Sequence, residues 1–398
     1  MRRIVNFLMT FLILSCYSCN NRSDYLRNIS DLHIVDFDKG EKKDTLFLSS
    51  LFRSVKCIQL EVTENSLLSR ISKILVYKNQ IFLFDNNRVK GLYVFDTNGR
   101  FIRKIAKRGL GPGEYNNIQD FTINPDNEEI ILIADYKILF FDIITGSHKA
   151  TVPLQYLTDI YSVQYFEKML YTDVIEHKKT SNDYLVQSID LTTGKQLERF
   201  LNSNDHNKGV NDFIPREVPN FIPSLKPPFL FRPLFSDTFY TLTQQGVSPY
   251  LTVKSGDFVK KKDFDSFEKI YPDFVHGTDK IYMIYSYFNK DNYIYLKFRR
   301  MIEEGKIKEH SVIYNTKTKS TQIFNVTSND LLYKRHGAGI SFKSIFYDES
   351  GVFECINSFL LPPFLKIISN NEINDSIKDQ IFGLNEQSNP VLFYYEFK

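Results

Sequence analysis

Three passages built on one plan, an apolar strand running into Asp and a Gly turn, predict an all-β fold, a six-bladed β-propeller. They are Tyr93-Val94-Phe95-Asp96-Thr97-Asn98-Gly99, Phe140-Phe141-Asp142-Ile143-Ile144-Thr145-Gly146 and Ser188-Ile189-Asp190-Leu191-Thr192-Thr193-Gly194. Their aspartates stand at 96, 142 and 190, hence 46 and 48 residues apart. A strand-only repeat of that length is the size of one blade. Composition agrees, with 35 Phe and 24 Tyr among 398 residues, since aromatic side chains suit a pleated, half-buried surface. A chain of this length would ordinarily divide into two or three domains, but a ring of blades grows by repetition.

The blades follow in order. Blade one takes strands at 71–76, 81–85, 91–96 and 101–105, and blade two at 121–124, 130–135, 138–142 and 150–154. Blade three takes 160–166, 169–175, 184–190 and 196–200. A Pro-rich loop at 202–228 then leads to blade four at 229–234, 238–242 and 250–253. A charged insertion at 256–279, expected as a surface flap, precedes blade five at 280–287, 293–299, 310–314 and 321–326. Blade six has 340–347, 352–359 and the chain end, 391–397, which leaves it one strand short. The strand at 54–60 is left over, and pairing it with the chain end closes the ring and removes exposed sheet edges. The propeller thus spans 46–398, and the polar stretch 20–45 reads as a tether.

That closure settles an expectation for Cys57 and Cys355. They fall on the fourth and second strands of blade six, roughly 9–10 Å apart, beyond the ~7 Å that a disulfide tolerates. Two free thiols follow, inert because both lie inside apolar strands.

Residues 1–19 stand apart. Arg2 and Arg3 precede an apolar run, 4–14, that is eleven residues long, too short to span a bilayer and suited to a secretory leader. Leu12-Ile13-Leu14-Ser15-Cys16 resembles a bacterial lipobox, which implies lipid on Cys16, with Cys19 as the second candidate. Without Arg2 and Arg3 the formal charge of +3 falls to +1, so no electrostatic footprint for nucleic acid is present. The only membrane contact expected is through the N-terminal lipid, and a monomer is expected.

Candidate chemistry is sparse. The glycine-rich segment Lys107–Tyr115 lacks the Lys-Ser/Thr of a phosphate loop, and Pro112 removes a backbone N–H; it reads as a crossover between blades. The seven histidines are scattered, with no metal-ligand spacing, and no Gly-x-Ser-x-Gly elbow or Ser-His-Asp arrangement is present. No metal, cofactor or catalytic residue is assigned. Asp120 and Asp159, ahead of the inner strands of blades two and three, are the candidates to face the central channel. A solvated turn carboxylate or strand-end cap is the plainer role for each. Asp96, Asp142 and Asp190 should bond their own turns. With no Trp, sugar recognition would fall to Tyr161, Tyr165, Tyr171, Tyr285 or Tyr287, positions that more simply fill the core. The loop aromatics Phe213, Phe221, Phe229 and Phe231 are the better interaction candidates.

The Gly-rich crossover, the stretch Phe121-Thr122-Ile123-Asn124-Pro125-Asp126 and the strand pair that follows resemble NHL-type propeller repeats. With the lipobox, Lys56–Glu61, and Asn389-Pro390-Val391-Leu392, the whole chain resembles six-bladed β-propeller envelope lipoproteins of Gram-negative bacteria. The resemblance implies the fold and a lipid-anchored place in the cell envelope, outer membrane included, and transfers no catalytic residues. The expected function is a binding or scaffold module for a protein or glycan partner. The rival is a channel-centred enzyme, a metal-dependent lactonase or a lyase, which needs several Asp, Glu, Asn or His side chains converging on the axis.

Overall fold

The computed structural model describes residues 32–87, 89–155, 160–174, 184–205, 220–233, 235–260, 280–302, 306–335 and 340–398. They form six sheets, one per blade, arranged as a six-bladed β-propeller. The first three sheets are built from consecutive antiparallel strands. Blade one has Ile71–Tyr77, Gln80–Asp85, Gly91–Asp96 and Phe101–Ile105. Blade two has Ile118–Asn124, Glu129–Ala134, Lys137–Asp142 and His148–Pro153. Blade three has Val163–Phe166, Met169–Asp173, Tyr184–Asp190 and Gln196–Asn202.

Their tightest hairpins place two successive residues at positive φ, as a type I′ turn requires. Lys78 and Asn79, Asp135 and Tyr136, and Glu167 and Lys168 occupy those positions. The repeated Asp-Gly turns do something more than reverse the chain. Asp96, Asp142 and Asp190 each accept backbone N–H bonds from two residues of their own turn, as expected. The glycine is a joint between blades: a Cβ on Gly99 would stand 2.1 Å from the Gln59 carbonyl oxygen, and one on Gly194 2.0 Å from that of Pro153. Both glycines also hold φ near +86° and +67°, a region costly to L side chains. The repeat is therefore legible because each turn must seat on the blade before it.

Blades four to six are closed differently. Blade four has Leu230–Phe231, Thr238–Thr243 and Gly246–Lys254, and its outer strand is His33–Asp36, pairing parallel to Gly246–Lys254. Blade five has four strands, Ile281–Lys290, Tyr293–Ile302, Lys306–Asn315 and Ser320–Ser328. Glu41–Phe47 adds a fifth in parallel to the last of them. Blade six has Phe346–Tyr347, Gly351–Ile356 and Val391–Phe397, closed by Phe52–Gln59 in antiparallel register. The N-terminal segment is thus a clasp laid across three blades in turn. The tether expected over 20–45 is corrected from His33 onward: Val35 and Leu46 are buried and hold the two strands to blades four and five. Residues 20–31, the leader, Cys16 and Cys19 lie outside the described residues.

The two ends of the propeller meet as expected. Gln59 pairs Val391 and Cys57 pairs Phe393, while Cys355 pairs Leu392 two strands in. Both thiols are free and buried, and burial pushes the Cys57 thiol up to about 12.

Between the second and third strands of blade six lies a helical insertion that the strand reading does not contain. It holds α1 (Leu361–Ser369) and α2 (Asp375–Lys378). Pro362 and Pro363 open α1 where their missing N–H groups cost nothing. Leu361 and Phe364, three apart on one face, are fully buried, and Phe364 meets Phe393 edge-on at 5.7 Å. Ile373, Ile377 and Ile381 continue the same packing. Among the described residues no helix is long and apolar enough to cross a membrane.

Candidate functional site

At the axis, polar side chains are spent on joining neighbouring inner strands. Lys73 of blade one reaches the Asp120 carboxylate of blade two at 2.7 Å, and also donates to the carbonyls of Phe121 and Val163 at 2.6 and 3.1 Å. Asp120 in turn accepts the Val163 N–H of blade three at 2.8 Å. Both partners are nearly inaccessible, at 2%. Burial, opposed by Lys73, leaves the Asp120 carboxyl above its ordinary range. Hydrogen bonds join the other seams as well. The Phe221 N–H donates to the Ser162 hydroxyl, the Ser344 N–H to Ser286, and the Ile71 N–H to the Asn357 side chain. Arg232 is buried and donates to the Ile284 carbonyl, and desolvation lowers its guanidinium to about 10.

A second polar cluster fills the seam between blades five and six. Glu309 bridges Lys297 at 3.0 Å and Arg299 at 3.1 Å and accepts the Ser341 hydroxyl at 2.5 Å. The Arg299 guanidinium lies over the Tyr285 ring at 4.1 Å. Burial raises the Glu309 carboxyl, but Lys297 and its hydrogen bonds outweigh that and hold it at about 2. Deeper in, Glu354 accepts the Tyr395 hydroxyl at 2.8 Å and the Lys343 N–H at 3.1 Å. Its desolvation is the largest influence and pushes it up to about 7. Among the described residues these ions bond one another across the seam, and the arrangement orders it. Among the described residues no three His, Cys, Asp or Glu side chains come together as a cation would need.

Among the described residues, the three most exposed large apolar side chains lie on one face. In blades whose strands run alternately, the crossovers between blades share a rim with the connections between second and third strands. That rim carries Leu110 at 90% exposure, Phe382 at 86% and Phe359 at 63%, together with Leu67, Val62 and Tyr136. The opposite rim carries Ile144 and Tyr293. Exposed apolar side chains gathered in this way mark an interaction surface. Two adjoining hollows, of about 440 and 490 Å³, open on the flank between blades six and one, where the crossover-side end of Phe52–Gln59 meets the Asn98–Arg100 turn of blade one beside the helical insertion.

The sequence candidates distribute unevenly over this picture. Asp120 is on the axis side, buried in its ion pair; Asp159 lies outside the described residues. The Lys107–Tyr115 segment is a crossover closed on itself: the Gly109 N–H donates to the Tyr115 carbonyl and the Gly111 N–H to Glu114. The expectation for the loop aromatics is corrected for Phe221, Phe229 and Phe231, at most 9% exposed, because they pack on the inner face of blades three and four. Phe213 and most of the 256–279 insertion lie outside the described residues. Tyr165, Tyr171, Tyr285 and Tyr287 are core. Sequence reasoning missed Lys73, whose single charge amid apolar strand residues (Ile71, Ile74, Leu75) was the available signal. It also missed Phe382, which nothing in its neighbourhood singles out.

Comparison with solved structures agrees with the architecture. A protein of Bacteroides fragilis described as exported superposes with a TM-score of 0.69 at 17% identity, covering 92% of this chain and 99% of that one. The extracellular domain of a hybrid two-component system of B. thetaiotaomicron aligns at 13% identity over 67% of this chain and 29% of its own, with a TM-score of 0.34. The first shares the fold, and the second is too distant to carry an argument. No curated protein matches the sequence. Residues 32–396, which hold every strand of the ring and the N-terminal clasp, match the family described as "Domain of unknown function (DUF4934)", and the chain belongs to that family.

Proposed function

We propose that the chain is an exported, lipid-anchored propeller that works as a binding module in the cell envelope, engaging a protein or glycan through its crossover face. One observation carries the reading. Among the described residues, Lys73 and Asp120 near the axis are consumed in blade-to-blade bonds, whereas Leu110, Phe359 and Phe382 stand in water on a single rim. A rigid ring with an apolar, irregular rim is suited to recognition, because little order is lost on binding. The exported character of the Bacteroides fragilis protein and the Leu12–Cys16 motif support the location. In the anchored protein, Cys16 carries the lipid.

Site-specific photocrosslinking in intact cells tests the binding face. A crosslinker at Phe382 or Leu110 should give discrete adducts, and one at Ile144 on the opposite rim should give none. Equal labelling from both rims, or none from either, would sink the reading. Mass spectrometry of the purified protein tests the anchor separately: Cys16→Ala should abolish a diacylglyceryl-modified N-terminus.

A further inference from the structure

We infer that the cleft between blades six and one binds a neutral oligosaccharide, a deepening that rests on the crossover-face reading above. The two hollows there share Gln59 and Asn98 and so form one trough, within the size range of small-molecule sites. Three stretches of chain build it: the end of the outer strand of blade six, the turn Asn98–Arg100 of blade one, and the loop that closes the helical insertion.

The lining is chiefly amide and hydroxyl, from Gln59, Asn98, Gln380, Asn385 and Ser388. Gln59 spends both amide N–H groups on main-chain carbonyls and Gln380 Oε1 accepts the Cys57 N–H, so Gln59 Oε1 is the acceptor and Gln380 Nε2 and Asn98 Nδ2 are the donors that can meet a sugar hydroxyl, itself both. The charged groups are Lys56 and Arg100 against Glu61. The single positive charge left over is carried by surface side chains and screened by salt, which is too little to hold a polyanion at physiological ionic strength.

The trough is fixed in advance by bonds that cross it. Gln59 donates to the carbonyls of Gln380 and Phe382 at 2.7 and 3.0 Å, and the Cys57 N–H donates to the Gln380 side chain at 2.8 Å. Asn389 locks the far wall, donating to the Glu61 and Ser66 carbonyls and accepting the Leu68 N–H. A site held this way keeps its polar groups aimed without ordering cost.

Phe382 supplies the remaining element. Its carbonyl is pinned by Gln59, yet 86% of the residue stands in solvent at the edge of the trough. Gly383 follows at φ +84°, with no atom within 4 Å of where its Cβ would be. The space beside the ring is therefore open, and an aromatic face gains from covering the C–H face of a sugar as it does from any apolar contact.

Calorimetric titration of the full chain in detergent, with oligosaccharides of glucose, xylose, mannose and N-acetylglucosamine, tests the inference. At least one should bind; Phe382→Ala should weaken it roughly tenfold, Asn98→Ala less, and Phe359→Ala, on the same rim but outside the trough, not at all. Unchanged thermal unfolding of each variant guards against misfolding. No binding to any sugar, undiminished binding by Phe382→Ala, or binding only to polygalacturonate that disappears in about 0.5 M salt would each overturn it. Protein adducts from Phe382 in cells together with a silent titration would remove the glycan and leave the binding face; failure of both experiments would remove both.

Discussion

Blades one to three and blades four to six solve the same problem, a sheet that must pack on two neighbours, by opposite means. The first half closes locally. Each blade is four consecutive strands, and each Asp-Gly turn seats on the blade before it. The second half closes at a distance: blades four, five and six all take an outer strand from residues 33–59. Local closure repeats, because the same steric demand recurs every blade. Distant closure does not, because each strand of the clasp meets a different edge. The comparison teaches that the ring is regular where it is self-contained and irregular where it depends on the chain's start.

The largest expected effect comes from removing the clasp. Deleting 32–48 strips Val35, Phe37, Leu46 and Leu48, all buried, and exposes the outer edges of blades four and five. Four such side chains correspond to about 8 kcal/mol of burial, comparable to the whole stability of a typical domain. Limited proteolysis should then cut blades four to six while a fragment spanning blades one to three persists longer. Uniform loss of both halves would show that the ring has no such division.

Next in size is the axis. Asp120→Ala leaves the Lys73 ammonium buried against carbonyls alone, and breaking a buried pair in this way costs about 3–5 kcal/mol. Replacing both residues with apolar ones, Lys73→Met with Asp120→Leu, should recover much of that, since the desolvation of two ions is removed together. Denaturant midpoints measure both. If Asp120→Ala unfolds no earlier than the parent, the pair is not what joins blades one, two and three.

These contrasts also explain how far the sequence could be read. Six blades, their order and the pairing of Phe52–Gln59 with Val391–Phe397 follow from strand periodicity and from counting one strand too few and one too many. His33–Asp36 and Glu41–Phe47 escaped because four and seven residues with one strongly buried position each carry little alternation. Parallel pairing at an outer edge asks for no more. Leu361, Phe364 and Ile368 do carry a helical spacing, but they lie in the stretch 360–390, to which the strand reading assigns no element. The candidate trough was illegible for a different reason: Gln59, Asn98 and Gln380 are ordinary surface residues until three distant stretches of chain bring them together.

The smallest effect is a pH dependence confined to the second half. Glu354 has an ordinary value of 4.5 and is pushed up to about 7 by burial, while the Tyr395 hydroxyl, the Lys343 N–H and Lys297 pull the other way. Between those two values the folded protein binds the extra proton, so its stability must fall as pH rises through the window. At 1.36 kcal/mol per unit the full span is roughly 3 kcal/mol, developed by about pH 7.5 and absent below about pH 4.5. Glu354→Gln keeps the shape and an acceptor for the Lys343 N–H but cannot ionise, so it should flatten that slope and unfold at higher temperature than the parent at pH 8. Tm measured from pH 5 to pH 8 decides it. A parallel displacement of the two curves would mean that another group titrates and that Glu354 is not the source of the slope.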